Sequence, residues 1–378
     1  MPRREFLQLA ETIKLEKHKI AGLYMSQKLD GTRCLWDGGV TRGIPTHLVP
    51  WASILDPKTG LKKKKIKPIA TGLWSRYGNP IMAPDWFLNS LPCCFLDGEL
   101  WAGVGNFQLC RSICAGDEPD PRFNQIQYAV YSSPSFAQLF QTGEIKNKNM
   151  LCDINYETIY AFVASRLVDF EGDFHFTPAK TFEQELIWLN DKIESQNELE
   201  TQFDIPNGVV PQPCFLLKQE KLSLKEDEAR ARFEEYLTCV VDQGGEGLVL
   251  RDPTALWIPK RHTGILKHKP YHDAEATITG FTSGRETDKG SRLLGKIGAL
   301  VLDYEGKRLE LAGLTDLERE LDTLQGRHYA ADHPGVDMPY WVNGKCFKIG
   351  QTVTFKYREL SDEGVPKEAR VWRLRDDE

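Results

Sequence analysis

The chain has no surplus of positive charge, no cysteine framework and no apolar run long enough to cross a bilayer. Each absence narrows what it can be. Lys and Arg number 48 against 54 Asp and Glu, a net charge of −6 at pH 7. Any polyanion partner must therefore be met by local patches, because screening confines attraction between exposed charges to about 10 Å at 0.1 M salt. Nine cysteines is an odd number, and they are scattered, with Cys93 and Cys94 adjacent. That excludes complete disulfide pairing and reads as reduced thiols in a cytoplasm-like compartment. Cys110 and Cys114 lack the second Cys or His pair that a zinc site needs. The start, Met1-Pro2-Arg3-Arg4-Glu5-Phe6, runs on into Glu11, Lys14, Glu16 and Lys17 rather than into an apolar stretch. This excludes a secretory signal and a membrane span. Internal repeats and low-complexity tracts are also lacking.

What is present suits a soluble globular protein. At 378 residues, 41% hydrophobic and 27% charged, the chain is long enough for two domains with separate cores. Residues 1–22 read as a short helix with Phe6, Leu9, Ile13 and Leu15 on an irregular apolar face. Leu23-Tyr24-Met25-Ser26 reads as a strand delivering Lys28 to its end, and Trp86-Phe87-Leu88 as part of a short helix stopping near Pro92. Phe95–Trp101 and Ile126–Tyr131 read as strands, as does Phe215-Leu216-Leu217. Helical periodicity is clearest from Phe182 to Ile193 and from Glu226 to Val241. Beyond Pro270 the rhythm changes to short strands and turns: Ala276–Phe281, Ile297–Leu302, Arg308–Leu311, Gln351–Tyr357 and Val371–Leu374, with a helical piece around Thr315–Gly326. That rhythm predicts a small Greek-key barrel after a boundary near Lys269–Asp273.

The chemistry gathers on a few stretches. In Gln27-Lys28-Leu29-Asp30-Gly31-Thr32-Arg33 a lysine is followed by an Asp-Gly turn and a second cation. A lysine amine attacks phosphorus only when neutral, so neighbouring cations or partial burial must lower its pKa. Asp97 and Glu99 flank Gly98 inside an apolar strand, and a carboxylate there needs a partner. Glu246 sits among glycines that let backbone approach a ligand, ahead of Leu248-Val249-Leu250-Arg251. If Leu266-Lys267-His268-Lys269 is a strand, its period of two places Lys267 and Lys269 on one face, which suits a phosphate. Tyr131 ends its strand as either a base-stacking ring or a core aromatic. Lys62-Lys63-Lys64-Lys65 is either a solvated loop or a phosphate contact. A nucleophilic lysine, two carboxylates and several cations are what metal-assisted nucleotidyl transfer to a protein amine requires.

The series Lys28–Arg33, Ser75-Arg76-Tyr77-Gly78, Leu96-Asp97-Gly98-Glu99, Glu246–Arg251 and Leu266–Lys269 resembles nucleotidyltransferase motifs I, Ia, III, IV and V of ATP-dependent DNA ligases. Asn79–Phe87, Asp97–Trp101 and Gly364-Val365-Pro366 with Arg373-Leu374-Arg375 resemble the minimal bacterial and phage members, which have a catalytic core and an OB domain. The likeness is weakest across 40–72 and 141–213. It implies an α+β protein: an adenylation domain of ATP-grasp-like antiparallel sheets with helices at 1–270, and an OB-fold β-barrel at 271–378. By the same likeness, Lys28 becomes adenylated and Glu99 and Glu246 serve the ribose and Mg²⁺, for which Mn²⁺ can substitute. Lys267 and Lys269 hold the α-phosphate of ATP, Tyr131 stacks on adenine, and Gln27 and Arg33 complete the nucleotide site. Asp30 and Arg33 act at the nick, and Arg76 grips DNA beside it. The lysines at 62–65 and Arg373 and Arg375 are further DNA contacts, the two arginines also orienting pyrophosphate. Lys367-Glu368-Ala369 departs from the usual Arg-Phe-Pro.

The expected activity is sealing of 5′-phosphate/3′-hydroxyl nicks in duplex DNA by a cytoplasmic monomer of a bacterium or a phage-infected cell. An RNA ligase or another lysine-dependent nucleotidyltransferase, such as a capping guanylyltransferase, is the alternative. A non-catalytic strand binder would have no need of Glu99 and Glu246 beside a lysine cluster.

Overall fold

The computed structural model describes residues 7–54, 66–140, 156–166, 180–200, 213–286, 290, 292–361 and 363–375. The chain divides into two compact units, Met1–His268 and Lys269–Glu378.

In the first unit the early strands are β1 (Leu9–Thr12), β2 (Tyr24–Gln27), β3 (Thr32–Asp37), β4 (Leu73–Ser75) and β5 (Phe95–Trp101). The later ones are β6 (Gln127–Ser132), β7 (Cys214–Leu216), β8 (Glu220–Lys221), β9 (Leu248–Arg251) and β10 (Arg261–His268). Helices α1 (Asp85–Asn89), α2 (Phe107–Ala115), α3 (Phe136–Leu139) and α4 (Tyr156–Ala164) precede the longer α5 (Phe182–Glu200) and α6 (Glu226–Asp242). The strands form two five-stranded sheets, ordered β1-β10-β9-β2-β8 and β4-β3-β5-β6-β7.

The second sheet is buried on both faces, because successive side chains of β3 point to opposite sides. Cys34 and Trp36 join Phe87, Leu96, Leu100, Ile113 and Tyr128 in one core. Leu35 joins Trp51, Trp74, Phe95, Phe140 and Trp257 in another. The first sheet packs Met25, Leu248, Leu250 and Leu266 against Phe233 and Leu237 of α6.

The N-terminal helix expected over 1–22 is replaced by β1, whose Leu9–Thr12 pair in parallel with Arg261–Lys267 of β10. Edge pairing in a tertiary sheet overrides the weak helical spacing, and Phe6 lies outside the described residues.

The second unit is a five-stranded antiparallel sheet, ordered β13 (Lys307–Leu311), β12 (Ile297–Tyr304), β11 (His272–Ser283), β14 (Thr352–Tyr357) and β17 (Arg370–Leu374). A two-stranded ribbon pairs β15 (Glu359–Leu360) with β16 (Pro366–Lys367). Ile278, Phe281, Leu300, Val353 and Phe355 fill its core. Its helix α7 (Leu324–Asp332) begins later than the helical piece expected at Thr315–Gly326. The reason is a cap: the hydroxyl of Thr323 accepts the backbone N–H of Gly326 at 3.0 Å and fixes the start there. Among the described residues, no helix is long and apolar enough to cross a membrane, and the described cysteines are free thiols.

Candidate active site

Lys28 follows β2 directly, and its backbone N–H donates to the carbonyl of Gly247 at 2.8 Å. Antiparallel pairing sets Gln27 opposite Leu248. The turn before β9 is thereby brought alongside Lys28, whose Nζ is ion-paired with the Glu246 carboxylate. The pair is largely shielded, with side-chain exposures of 23% and 8%. A carboxylate at this place can hold the ammonium and take its proton.

Across the cleft, β3 pairs with β5 so that Arg33 stands opposite Glu99 and Leu35 opposite Asp97. Asp97 and Glu99, two residues apart, share a face with Arg33. Arg33 grips the fully buried Asp97 through two bonds of 2.7 Å, from Nε and Nη2, and reaches the carbonyl of Gln8 at 3.1 Å. Trp257 Nε1 donates to the same carboxylate at 2.9 Å. The partner that an acid in this strand requires is therefore Arg33, sixty-four positions earlier. Burial pushes the Glu99 carboxyl up to about 7, opposed by Lys28 and Arg33 and reinforced by Asp97 and Asp30.

A cavity of about 90 Å³ opens between the two sheets. Its walls include Gln27, Lys28, Arg33, Glu99, Tyr131 and Lys267, six of the residues singled out from sequence, together with Val249 and Arg251. The Tyr131 ring is engaged by two guanidinium groups, Arg33 at 4.9 Å and Arg251 at 4.8 Å from its centre.

The remaining candidates sit elsewhere. Asp30 is half-buried beside Gly31. A Cβ on Gly31 would lie 2.2 Å from the carbonyl oxygen of Leu100, so only glycine lets β3 start this close to β5. Lys269 falls just past the end of β10, as the first residue of the second unit, so the two lysines are not carried by one strand. Arg76 is exposed in the turn after β4, over the Tyr77 ring at 4.7 Å. Arg373 belongs to β17 in the second unit, with Arg375 just beyond it, ion-paired to Glu275 at 2.5 Å. Lys62–Lys65 lie outside the described residues.

Magnesium binds through one or two carboxylates and keeps much of its water. Glu246 and Glu99, one against Lys28 and one in the cavity wall, fit that demand. Among the described residues, no cluster of three or more His, Cys, Asp or Glu forms a closed metal cage.

Arg251 and Glu185 were not expected at the site. Arg251 is buried, at 5% exposure, and its Nε has no hydrogen-bond partner. Glu185 of α5, at 2%, accepts from Ser132 Oγ at 2.9 Å and from the Ser133 backbone N–H. The signal for it was available: Phe182, Glu185, Leu189 and Ile193 recur at helical spacing, and an acid on that apolar stripe must find a buried donor.

Comparison with known proteins fits this arrangement. Residues 290–375 match the DNA ligase OB-like domain. Over 140 residues, 37% of the chain, the sequence is 27% identical to a DNA ligase of Haemophilus influenzae, spanning 41% of that protein. The chain thus aligns with less than half of this curated relative. A solved structure from work on Lig E DNA ligases, described as binding DNA with a minimal scaffold, superposes with a TM-score of 0.58 at 22% identity, covering 98% of both chains. A second structure, of Pmar-Lig, gives 0.59 at 16% identity over 99% of this chain and 69% of its own. The mixed α+β fold is therefore that of the DNA ligases, a nucleotidyltransferase unit followed by an OB-like unit. Within that class, residues 290–375 are the DNA ligase OB-like domain.

Proposed function

We propose that this chain is an ATP-dependent DNA ligase that seals 5′-phosphate/3′-hydroxyl nicks in duplex DNA through a lysyl-AMP and a DNA-adenylate intermediate, with Lys28 as the nucleophile. The observation that carries the reading is the ion pair between Lys28 and Glu246 at the wall of a cavity shared with Arg33, Glu99 and Lys267.

Lys28 gives up a proton to Glu246 and its amine attacks the α-phosphorus of ATP, expelling pyrophosphate. The adenylate then passes to the 5′-phosphate of the nick, and the 3′-hydroxyl displaces AMP to close the strand. In each step the charge that builds on the phosphoryl oxygens is met by Lys267, Arg33 and Lys28 itself, fixed cations that need little reorganisation. Tyr131 and Val249 offer the apolar surface for the base. Bound at Glu246 and Glu99, Mg²⁺ would neutralise phosphate charge. Asp30 and Arg76 are placed on the nicked strand, and Lys269, Arg373 and Arg375 are assigned to the triphosphate and DNA.

Incubation with ATP labelled at the α-phosphate tests this reading. The wild-type protein should acquire an acid-stable label that Lys28→Ala lacks while keeping its thermal unfolding midpoint. A label that persists in Lys28→Ala would remove Lys28 from the role.

A further inference from the structure

Helix α5 belongs to the stretch of 141–213 where the sequence suggests scaffold rather than chemistry. Two of its residues nevertheless reach the wall of the nucleotide cavity. Phe182, its first residue, lies under the guanidinium of Arg251 at 5.0 Å, while Tyr131 lies against the same guanidinium at 4.8 Å. Arg251 separates the main cavity from a second, smaller one of about 10 Å³ that Glu185, Ser132 and Trp257 also line.

The charges in this region divide into two sets. Asp97 is taken up by Arg33 and Trp257. Arg251, buried with an unmade Nε–H bond and repelled by Arg33, is left to be balanced largely by Glu185. A buried guanidinium without a counter-charge is costly and shifts toward water when it can. The Glu185 carboxylate also ties down Ser132 and Ser133, the residues that follow Tyr131 at the end of β6.

We infer that Glu185 is a positioning residue of the nucleotide cavity: it holds Arg251 in the cavity wall by supplying its counter-charge and fixes the end of β6 that carries Tyr131. The inference rests on the proposed reading of the cavity as the ATP site. It makes α5 part of the nucleotide-binding machinery, although none of its side chains lines the main cavity.

Glu185→Gln keeps an oxygen that accepts from Ser132 and Ser133 and removes the charge. Its KM for ATP in self-adenylation should rise about tenfold, with kcat within about twofold of wild type. Arg251→Leu should raise KM comparably, and the double variant should be no worse than Arg251→Leu alone, because both changes remove one interaction. A purely structural role would lower the unfolding temperature and leave KM unmoved, or give additive losses in the double variant; either result overturns the inference. Calorimetric titration of each protein with ATP separates this from failure of the functional reading. A wild-type protein that neither binds ATP nor becomes labelled sinks both, whereas normal binding and labelling in Glu185→Gln sinks the positioning role alone.

Discussion

Asp97 shows how much one side chain can hold together. It is fully buried, accepts two bonds from Arg33 and one from Trp257, and lies on the face of β5 that also carries Glu99. Removing one partner of a buried, hydrogen-bonded ion pair leaves the other charge uncompensated, a loss of about 3–5 kcal/mol. Asp97→Ala should therefore lower the urea-unfolding free energy by that order, and a loss below about 1 kcal/mol would show that Arg33 has another anchor. Glu185 gives a pH signature. Burial raises its carboxyl from the ordinary 4.5 to about 7 despite Ser132, Ser133 and Arg251. The native state then binds more protons than the unfolded chain between those values, so its contribution to stability declines as pH rises through that window. Glu185→Gln should flatten part of the fall in unfolding temperature between about pH 5 and about pH 8, and a profile parallel to wild type would contradict the assignment. The need of Asp97 for a partner was legible in the sequence, since an acid in Phe95–Trp101 cannot stay unpaired. Which cation it takes was not, because that depends on the β3–β5 register.

At the scale of elements, what was legible followed from local patterning, and what was not followed from pairing. The strand before Lys28, strand β5 and helices α5 and α6 fall where alternation or helical spacing places them. Strand β1 does not, because Leu9–Thr12 are extended by the edge of β10 and not by their own pattern. Likewise β10 stops at His268, which separates Lys267 from Lys269 although their spacing suits one strand face. Gly31 marks the tightest of these pairings. Its missing Cβ faces a backbone oxygen at 2.2 Å, which has no freedom to yield. Gly31→Ala should therefore push β3 from β5, destabilise the fold by about 1–3 kcal/mol and weaken self-adenylation. An alanine variant as stable as wild type would show that the strands can separate there without loss.

At the scale of the whole molecule, a net charge of −6 means that DNA must be held by local cations and not by the protein's overall field. Each phosphate neutralised on duplex DNA should contribute roughly −0.9 to the slope of log K against log salt. Replacing Lys62–Lys65 by serine should flatten that slope if the run contacts the backbone, and an unchanged slope would return it to a solvated loop. The order of motifs from Lys28 to Lys267 was readable because chemistry fixes residue types. Their convergence was not, because Lys28 and Glu246 are 218 positions apart and meet only through the β2–β9 pairing.

The central claim is tested most directly by one assay: purified protein with Mg²⁺ and ATP, GTP or NAD in parallel, on nicked duplexes whose strands at the nick are DNA or RNA. The account predicts sealing of the DNA nick with ATP, loss of sealing in Lys28→Ala, and little or none with GTP or NAD. Sealing confined to RNA, label transfer from GTP in place of ATP, or absence of transfer from every nucleotide would contradict it.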